Sequence, residues 1–298
     1  MSTLGHTRLF IPFFYLVLTA LSCKVEPSFI PSYIEIKDVH VEASSIKGNS
    51  IHDIKAVQVY VNSQTVGTFE IPCKFPIDAE GLVRIQIVPF VKNNGNSQTL
   101  VPYKSLEILS DTLQITREKT TNWSPLFSYR SNVEIVWQED FEDSSSTLVP
   151  IRKDALDRAQ IERRPYDLNM RFSKPSLVFV SEFTDIDSFR SMDLAYFQRI
   201  SNLPADGRDV VLEFDINTAL PVLVAIRRFG SSKIEYIPYV TVNPTNNTWK
   251  RFYLNLIYEV QGQPANTQYE IFFSADKPLN YAGSREFLID NLRLSYLK

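Results

Sequence analysis

The segment Glu213-Phe214-Asp215-Ile216-Asn217 comes nearest to catalytic chemistry in this chain. Alternate residues of a strand point to one face, so Glu213, Asp215 and Asn217 fall in line. Retaining glycoside hydrolysis needs two carboxyl groups about 5 Å apart, one as nucleophile and one as acid/base. Asn217 holds the third place in the line. Its amide cannot hand a proton to a leaving sugar oxygen, a transfer typically worth about 10²–10⁴-fold in rate. The expectation is a polar strand face turned to solvent, and no hydrolysis. A second group, Glu139, Asp140, Glu142 and Asp143, gathers carboxylate oxygens beside an apolar strand; a solvated acidic turn is its ordinary reading. A third set, Tyr166, Tyr196, Phe197, Tyr236, Tyr239 and Tyr258, offers rings for sugar to stack on. Most aromatics in a sandwich are core, so the larger part of this set is expected buried or half-buried, with Trp249 in the core as well.

Composition narrows the chemistry further. The histidines are His6, His40 and His52, and none follows. The larger C-terminal part therefore lacks Ser-His-Asp and Cys-His catalysis and histidine-ligated zinc. A net charge of −3 over 298 residues, without long blocks of one sign, gives nucleic acid no basic stripe to bind. A hydrophobic content of 44% is ordinary for a folded globular chain. No cofactor is required by any of these patterns.

The N-terminus carries an address. Arg8 precedes an almost wholly apolar run over residues 9–20, and Leu21-Ser22 leads into Cys23 and the polar Lys24-Val25-Glu26-Pro27. Residues 1–22 read as a secretory signal cleaved before Cys23. The run is shorter than the roughly 20 apolar residues that span a bilayer. Cys23 at the new N-terminus is expected to be diacylated, with residues 23–32 as a tether. Ala20 stands where lipoprotein signals usually carry Leu, and Ala20 with Ser22 also suits ordinary signal peptidase, which would cut the same bond. Cys23 would then be open to a disulfide with Cys73, the one other cysteine.

The elements that must position these residues are strands. Ile34-Glu35-Ile36-Lys37-Asp38-Val39 alternates apolar with charged, and Ala56-Val57-Gln58-Val59-Tyr60-Val61 alternates again before an Asn62-Ser63 turn. Leu82-Val83-Arg84-Ile85-Gln86-Ile87-Val88 follows Gly81, and Asn93-Asn94-Gly95-Asn96 is a strong turn. An immunoglobulin- or transthyretin-like sandwich over residues 33–118 is the natural arrangement. Residues 119–131 are polar and read as a linker. Residues 132–298 return to strands, with one helix expected over 152–164 on the thin stripe Leu156, Ala159 and Ile161, stopped by Pro165. The fold class is all-β, two sandwiches in series.

Several passages are familiar. Residues 33–39, 57–72 (VQVYVNSQTVGTFEIP) and 89–103 (PFVKNNGNSQTLVPY) resemble uncharacterised Bacteroidetes lipoproteins with a cysteine tether, an immunoglobulin- or transthyretin-like domain and a jelly roll. Glu139-Asp140-Phe141-Glu142, Thr248-Trp249-Lys250-Arg251-Phe252-Tyr253-Leu254 and Phe287-Leu288-Ile289-Asp290-Asn291-Leu292-Arg293-Leu294 resemble carbohydrate-binding and galactose-binding-like jelly rolls. Laminarinase-like glycoside hydrolases carry Glu, Asp and Glu on such a scaffold, a register that residues 213–217 follow except at Asn217. These resemblances imply a jelly roll over 132–298 and a structural calcium, the position match giving Glu142 and Asp290 as its ligands. They also imply an outer-membrane, lipid-anchored place in the cell envelope, facing the periplasm or the surface. The role that follows is non-catalytic binding of glycan or another surface component. The alternative is a structural or assembly subunit that meets a surface protein.

Overall fold

The computed structural model describes residues 30–44, 48–96, 98–143, 146–150, 159–165, 177–183, 190–196, 198–231, 233–278, 280, 282–283 and 286–298. Its first half contains β1 (Ser32–Ile36), β2 (His40–Val41), β3 (Ala56–Val61), β4 (Gln64–Glu70), β5 (Cys73–Ile77) and β6 (Gly81–Lys92), then β7 (Leu100–Pro102), β8 (Leu109–Ile115), β9 (Thr120–Asn122) and β10 (Leu126–Phe127). Strands β4-β3-β6-β7, with β8 also on β6, make one sheet; β5-β1-β9 and the pair β10-β2 lie opposite. Strand alternation sends Ile34, Ile36, Val57, Val59, Phe75, Ile85 and Ile87 into a shared core. Asn62 and Ser63 both take positive φ and close the β3–β4 hairpin.

The stretch expected to be a linker belongs to this sandwich. Thr120–Asn122 pairs in parallel with β1, Leu126–Phe127 pairs in parallel with β2, and Phe127 is fully buried in the core. Polar side chains there face outward while the backbone completes two sheet edges.

The second half contains β11 (Val133–Glu139), β12 (Leu148–Pro150), β13 (Ala159–Pro165), β14 (Leu177–Phe183), β15 (Arg190–Tyr196), β16 (Val210–Thr218), β17 (Val222–Phe229), β18 (Ile234–Val242), β19 (Lys250–Asn255), the one-turn helix α1 (Ile257–Val260), β20 (Gln268–Lys277) and β21 (Glu286–Leu297). A six-stranded sheet runs β13-β14-β21-β16-β19 with β11 also on β21; a five-stranded sheet runs β12-β15-β20-β17-β18. Between them pack Leu212, Phe214, Ile216, Val222, Val224, Ile226, Phe273 and Leu294. The class is all-β, and the two-sandwich layout read from alternation is present.

The helix expected over 152–164 is corrected. Residues 159–165 form β13, paired antiparallel with β14, and residues 151–158 lie outside the described residues. A thin apolar stripe holds a helix weakly, whereas sheet pairing satisfies the same backbone groups. One irregularity matters for the chemistry. Asn291 has φ 51° and interrupts the alternation of β21, so Phe287 and Ile289 face the core and then Leu292 and Leu294 do. The register with β16 shifts there, setting Arg293 opposite Glu213 and Asp290 opposite Asp215.

Candidate functional site

The six-stranded sheet turns its core-averted face toward the first sandwich. On β16 that face carries Val211, Glu213, Asp215 and Asn217, with Asp209 just before the strand, while Val210, Leu212, Phe214 and Ile216 enter the core. Glu213 and Asp215 are 0% and 1% exposed, so the expectation of a solvent-facing acidic strand is overturned. Arg251, opposite Asp215 on β19, donates Nη1 to Asp215 Oδ2 at 2.8 Å and Nη2 to Glu213 Oε2 at 3.0 Å. Arg293, opposite Glu213 on β21, donates Nε to Glu213 Oε1 at 3.2 Å and Nη2 to the same oxygen at 2.5 Å. The first sandwich completes the cluster. Tyr103 donates its hydroxyl to Glu213 at 2.8 Å and accepts from Arg293, and the Asp53 N–H donates to the Tyr253 hydroxyl at 2.8 Å.

Burial by itself would raise the Glu213 carboxyl, but Arg293 and Arg251 outweigh it and hold its pKa below the ordinary value. Burial, offset in part by Arg293, pushes the Tyr103 hydroxyl well above its usual range. Glu213, held ionised between two guanidiniums and shut from water, has no proton to give, and Asp215 against Arg251 is equally closed to a substrate. Asn217 is buried too, its amide donating to Asn247 Oδ1 at 3.3 Å and accepting from the Thr245 hydroxyl at 3.0 Å. Of the three, Glu213 meets the first sandwich through Tyr103, while Asp215 bonds Arg251 and Asn217 bonds Thr245 and Asn247 within the second.

The opposite sheet's core-averted side carries a second aromatic group, in which Ala195, Ala225 and Phe272 are buried and Tyr236 is exposed. That side presents Tyr236, Arg227 and Glu270 in one cross-strand row, Pro238, Ala225, Phe272 and Ala195 in the next, then Thr241, Leu223, Ser274 and Asp193. Tyr236 is 54% exposed, and its ring meets that of Phe272 at 5.3 Å between centroids and 50° between planes. The Arg227 guanidinium sits 5.5 Å from the Phe272 centroid and pairs with Glu270. Its Nε–H is buried and has no acceptor among the described residues. Ser274 donates to Asp193 Oδ1 at 2.6 Å beside the strip. Aromatic rings flanked by fixed planar polar groups can take the C–H face and the hydroxyls of a sugar together.

The other sequence candidates fall in several places. Tyr258 is 77% exposed on α1, and Tyr239 is half-buried with its hydroxyl donating to the Asn255 carbonyl. Tyr196 is half-buried and stacks on Trp137 at 4.6 Å, and Trp249 is buried as expected. Tyr166, Phe197 and Cys23 lie outside the described residues. Cys73 is half-buried in β5, and burial raises its thiol pKa.

The two calcium candidates differ sharply. Glu142 is exposed, with its N–H donating to Asp140 Oδ1, whereas Asp290 is fully buried and accepts from the Asn291 N–H at 2.7 Å. Within the acid cluster Glu139 is buried, and it accepts from the Phe141 N–H and from the Thr147 N–H and hydroxyl. Among the described residues no three His, Cys, Asp or Glu side chains gather closely enough to share a metal ion.

Phe272, Arg227, Tyr103, Arg251 and Arg293 were not legible as site residues. Arg251 and Arg293 carry one weak signal, a charge beside apolar residues in a strand, as in Arg251-Phe252-Tyr253 and Leu292-Arg293-Leu294.

No family model matches the chain, and no curated protein does. Among solved structures, a xylan-binding CBM22-2 domain from Paenibacillus barcinonensis Xyn10C aligns at 11% identity and TM-score 0.36, covering 54% of this chain and 99% of that one. A structure described under promiscuous specificity of carbohydrate-binding modules from the β-sandwich superfamily aligns at 10% identity and TM-score 0.35, covering 83% of this chain and 87% of that one. The enzymatically active domain of bacteriophage CBA120 tailspike protein 4 aligns at 17% identity and TM-score 0.33 over 56% of this chain; the match spans 20% of the tailspike.

Proposed function

We propose that this protein is a non-catalytic exported lipoprotein, tethered to the outer membrane through a lipidated Cys23, that holds glycan on the outward face of its five-stranded sheet. The observation that carries the reading is the exposed Tyr236 ring on the outward side of the sheet, with the part-exposed Arg227–Glu270 pair in the same cross-strand row. A sugar lays its C–H face on such a ring and offers a hydroxyl oxygen to the guanidinium and a hydroxyl proton to the carboxylate beside it. The burial of Glu213 and Asp215 between arginines supports a binding rather than a hydrolytic role. The short apolar run ending in Ser22-Cys23 supports the tether.

Calorimetric titration of a polysaccharide panel into a soluble Cys23→Ser form tests the reading. Tyr236→Ala should weaken binding about tenfold or more, the scale of losing about 1.4 kcal/mol, with an unchanged melting temperature. Unchanged affinity overturns the assignment of this face, and turnover of a β-glucan that disappears in Glu213→Gln overturns the non-catalytic role. Membrane-fraction mass spectrometry should find the Cys23 peptide acylated; an unmodified Cys23, or one bonded to Cys73, refutes the tether. One observation favours the assembly-subunit reading: Ile234, aliphatic and 65% exposed, lies two residues from Tyr236 on the same side of β18. Capture of an envelope protein lost in Ile234→Ser but kept in Tyr236→Ala would favour it.

A further inference from the structure

The Tyr236 row has a neighbour toward the end of the same sheet face. Two residues along the strands, about 7 Å away, Ile234, Phe229 and Gln268 stand side by side. Ile200 pairs with Tyr269 of β20, which brings the exposed Arg199 to this row. The guanidinium carbon of Arg199 lies 3.9 Å from the Phe229 ring centroid. A separation that short lays the planar group over the ring, so its N–H edges point sideways and stay open. The charges around it are matched: Arg227 pairs with Glu270, and Arg228 and Lys233 share Glu235. Arg199 differs. Among the described residues its guanidinium meets the Phe229 ring and no carboxylate.

We infer that the glycan taken by this face is acidic: a sugar chain bearing carboxylate or sulfate, its anionic group on Arg199 and a neighbouring sugar on Tyr236. This rests on the glycan reading above and names its ligand class. Stacking has already fixed the Arg199 side chain, so little freedom is lost when it grips a pair of anionic oxygens. Its fork matches such a pair, and a charge-assisted hydrogen bond is roughly twice as strong as a neutral one. A neutral chain would meet the same N–H groups with hydroxyls and gain less. A purely apolar partner would cover them with no acceptor, at a cost. The adjacent Arg227–Glu270 pair cancels its own charge, so Arg199 alone reads charge on the ligand. Phe229 and the exposed Ile234 offer apolar contact beside it.

The probes are two matched pairs: galacturonate oligosaccharides with their methyl esters, and sulfated galactan oligosaccharides with their desulfated forms. Each is titrated calorimetrically into the soluble Cys23→Ser chain. In at least one pair the acidic form should bind about tenfold tighter than its neutral counterpart. The pair that shows the preference tells carboxylate from sulfate. Raising salt from about 0.1 M to about 1 M, where the screening length falls to about 3 Å, should remove most of it. Arg199→Gln should bring the acidic-to-neutral ratio close to one with an unchanged melting temperature, because Arg199 is exposed. Equal binding of acidic and neutral forms, a preference that survives in Arg199→Gln, or one indifferent to salt overturns the inference. Neutral binding that Tyr236→Ala weakens, with no acidic preference, leaves the glycan reading standing and removes the ligand class alone. Failure of every probe to bind overturns both.

Discussion

Glu213 concentrates the residue-scale physics. It has two arginines, a tyrosine hydroxyl and no solvent. Such a group adds little net stability over an apolar replacement of the whole cluster, yet removing a single partner leaves buried charge uncompensated. Glu213→Gln should therefore cost about 3–5 kcal/mol at neutral pH, read by urea denaturation. The pH dependence has a definite sign. The folded pKa lies below the ordinary value, so on acidification the unfolded chain takes up its proton first. The stabilisation is whole above the unfolded value of about 4.3 and disappears as pH falls through the folded value. Glu213→Gln should lose less stability than the parent between neutral pH and about pH 3. Parallel pH profiles for the two proteins would show that Glu213 does not titrate with folding.

At the scale of elements, docking depends on places where backbone comes close. The turn Asn93–Gly95 sets Asn94 Oδ1 to accept from the Asn255 N–H at 3.1 Å and from the Tyr239 hydroxyl at 3.2 Å. A Cβ on Gly95, at φ 72°, would lie 2.3 Å from the Phe252 ring, while one on Gly81, at φ 82°, meets nothing within 4 Å. Both substitutions strain the backbone by roughly 1–2 kcal/mol; Gly95→Ala adds a clash with a core ring. Its melting temperature should drop clearly further than that of Gly81→Ala, and equal drops would mean the turn can shift freely. The sequence showed Asn93-Asn94-Gly95-Asn96 as a turn and residues 210–216 as a strand, because turn chemistry and period-two alternation are local. It did not show what the polar face of β16 meets. Alternation separates two faces of a strand, but whether the polar one meets water or a second sandwich depends on Tyr103, Arg251 and Arg293, remote in the chain. Residues 159–165 misread for the opposite reason: their partner, β14, was legible only as a separate strand.

For the whole molecule, the buried seam decides how the chain unfolds. Polar residues 119–131 read as a linker between two domains, but those residues are sewn into the first sandwich by β9 and β10. Across the seam, Tyr103 reaches Glu213 and Arg293, Tyr253 reaches Asp53, and the Asn49 amide donates to Asn291 Oδ1 at 3.1 Å. Separating the sandwiches with both still folded would expose Tyr253, which packs in the first core, and would leave the two arginines and Glu213 without Tyr103. Water would then reach the charges but not replace the ring packing, so separation is uphill by several buried contacts. The soluble Cys23→Ser chain should therefore give one calorimetric transition, with equal calorimetric and van't Hoff enthalpies. Tyr103→Phe removes the one hydroxyl by which the first sandwich reaches Glu213 and Arg293, leaving the other seam bonds in place; its transition should move down and broaden toward two steps. A parent chain that already melts in two well-separated steps, neither shifted by Tyr103→Phe, would show that the sandwiches fold independently and that the seam is contact without coupling.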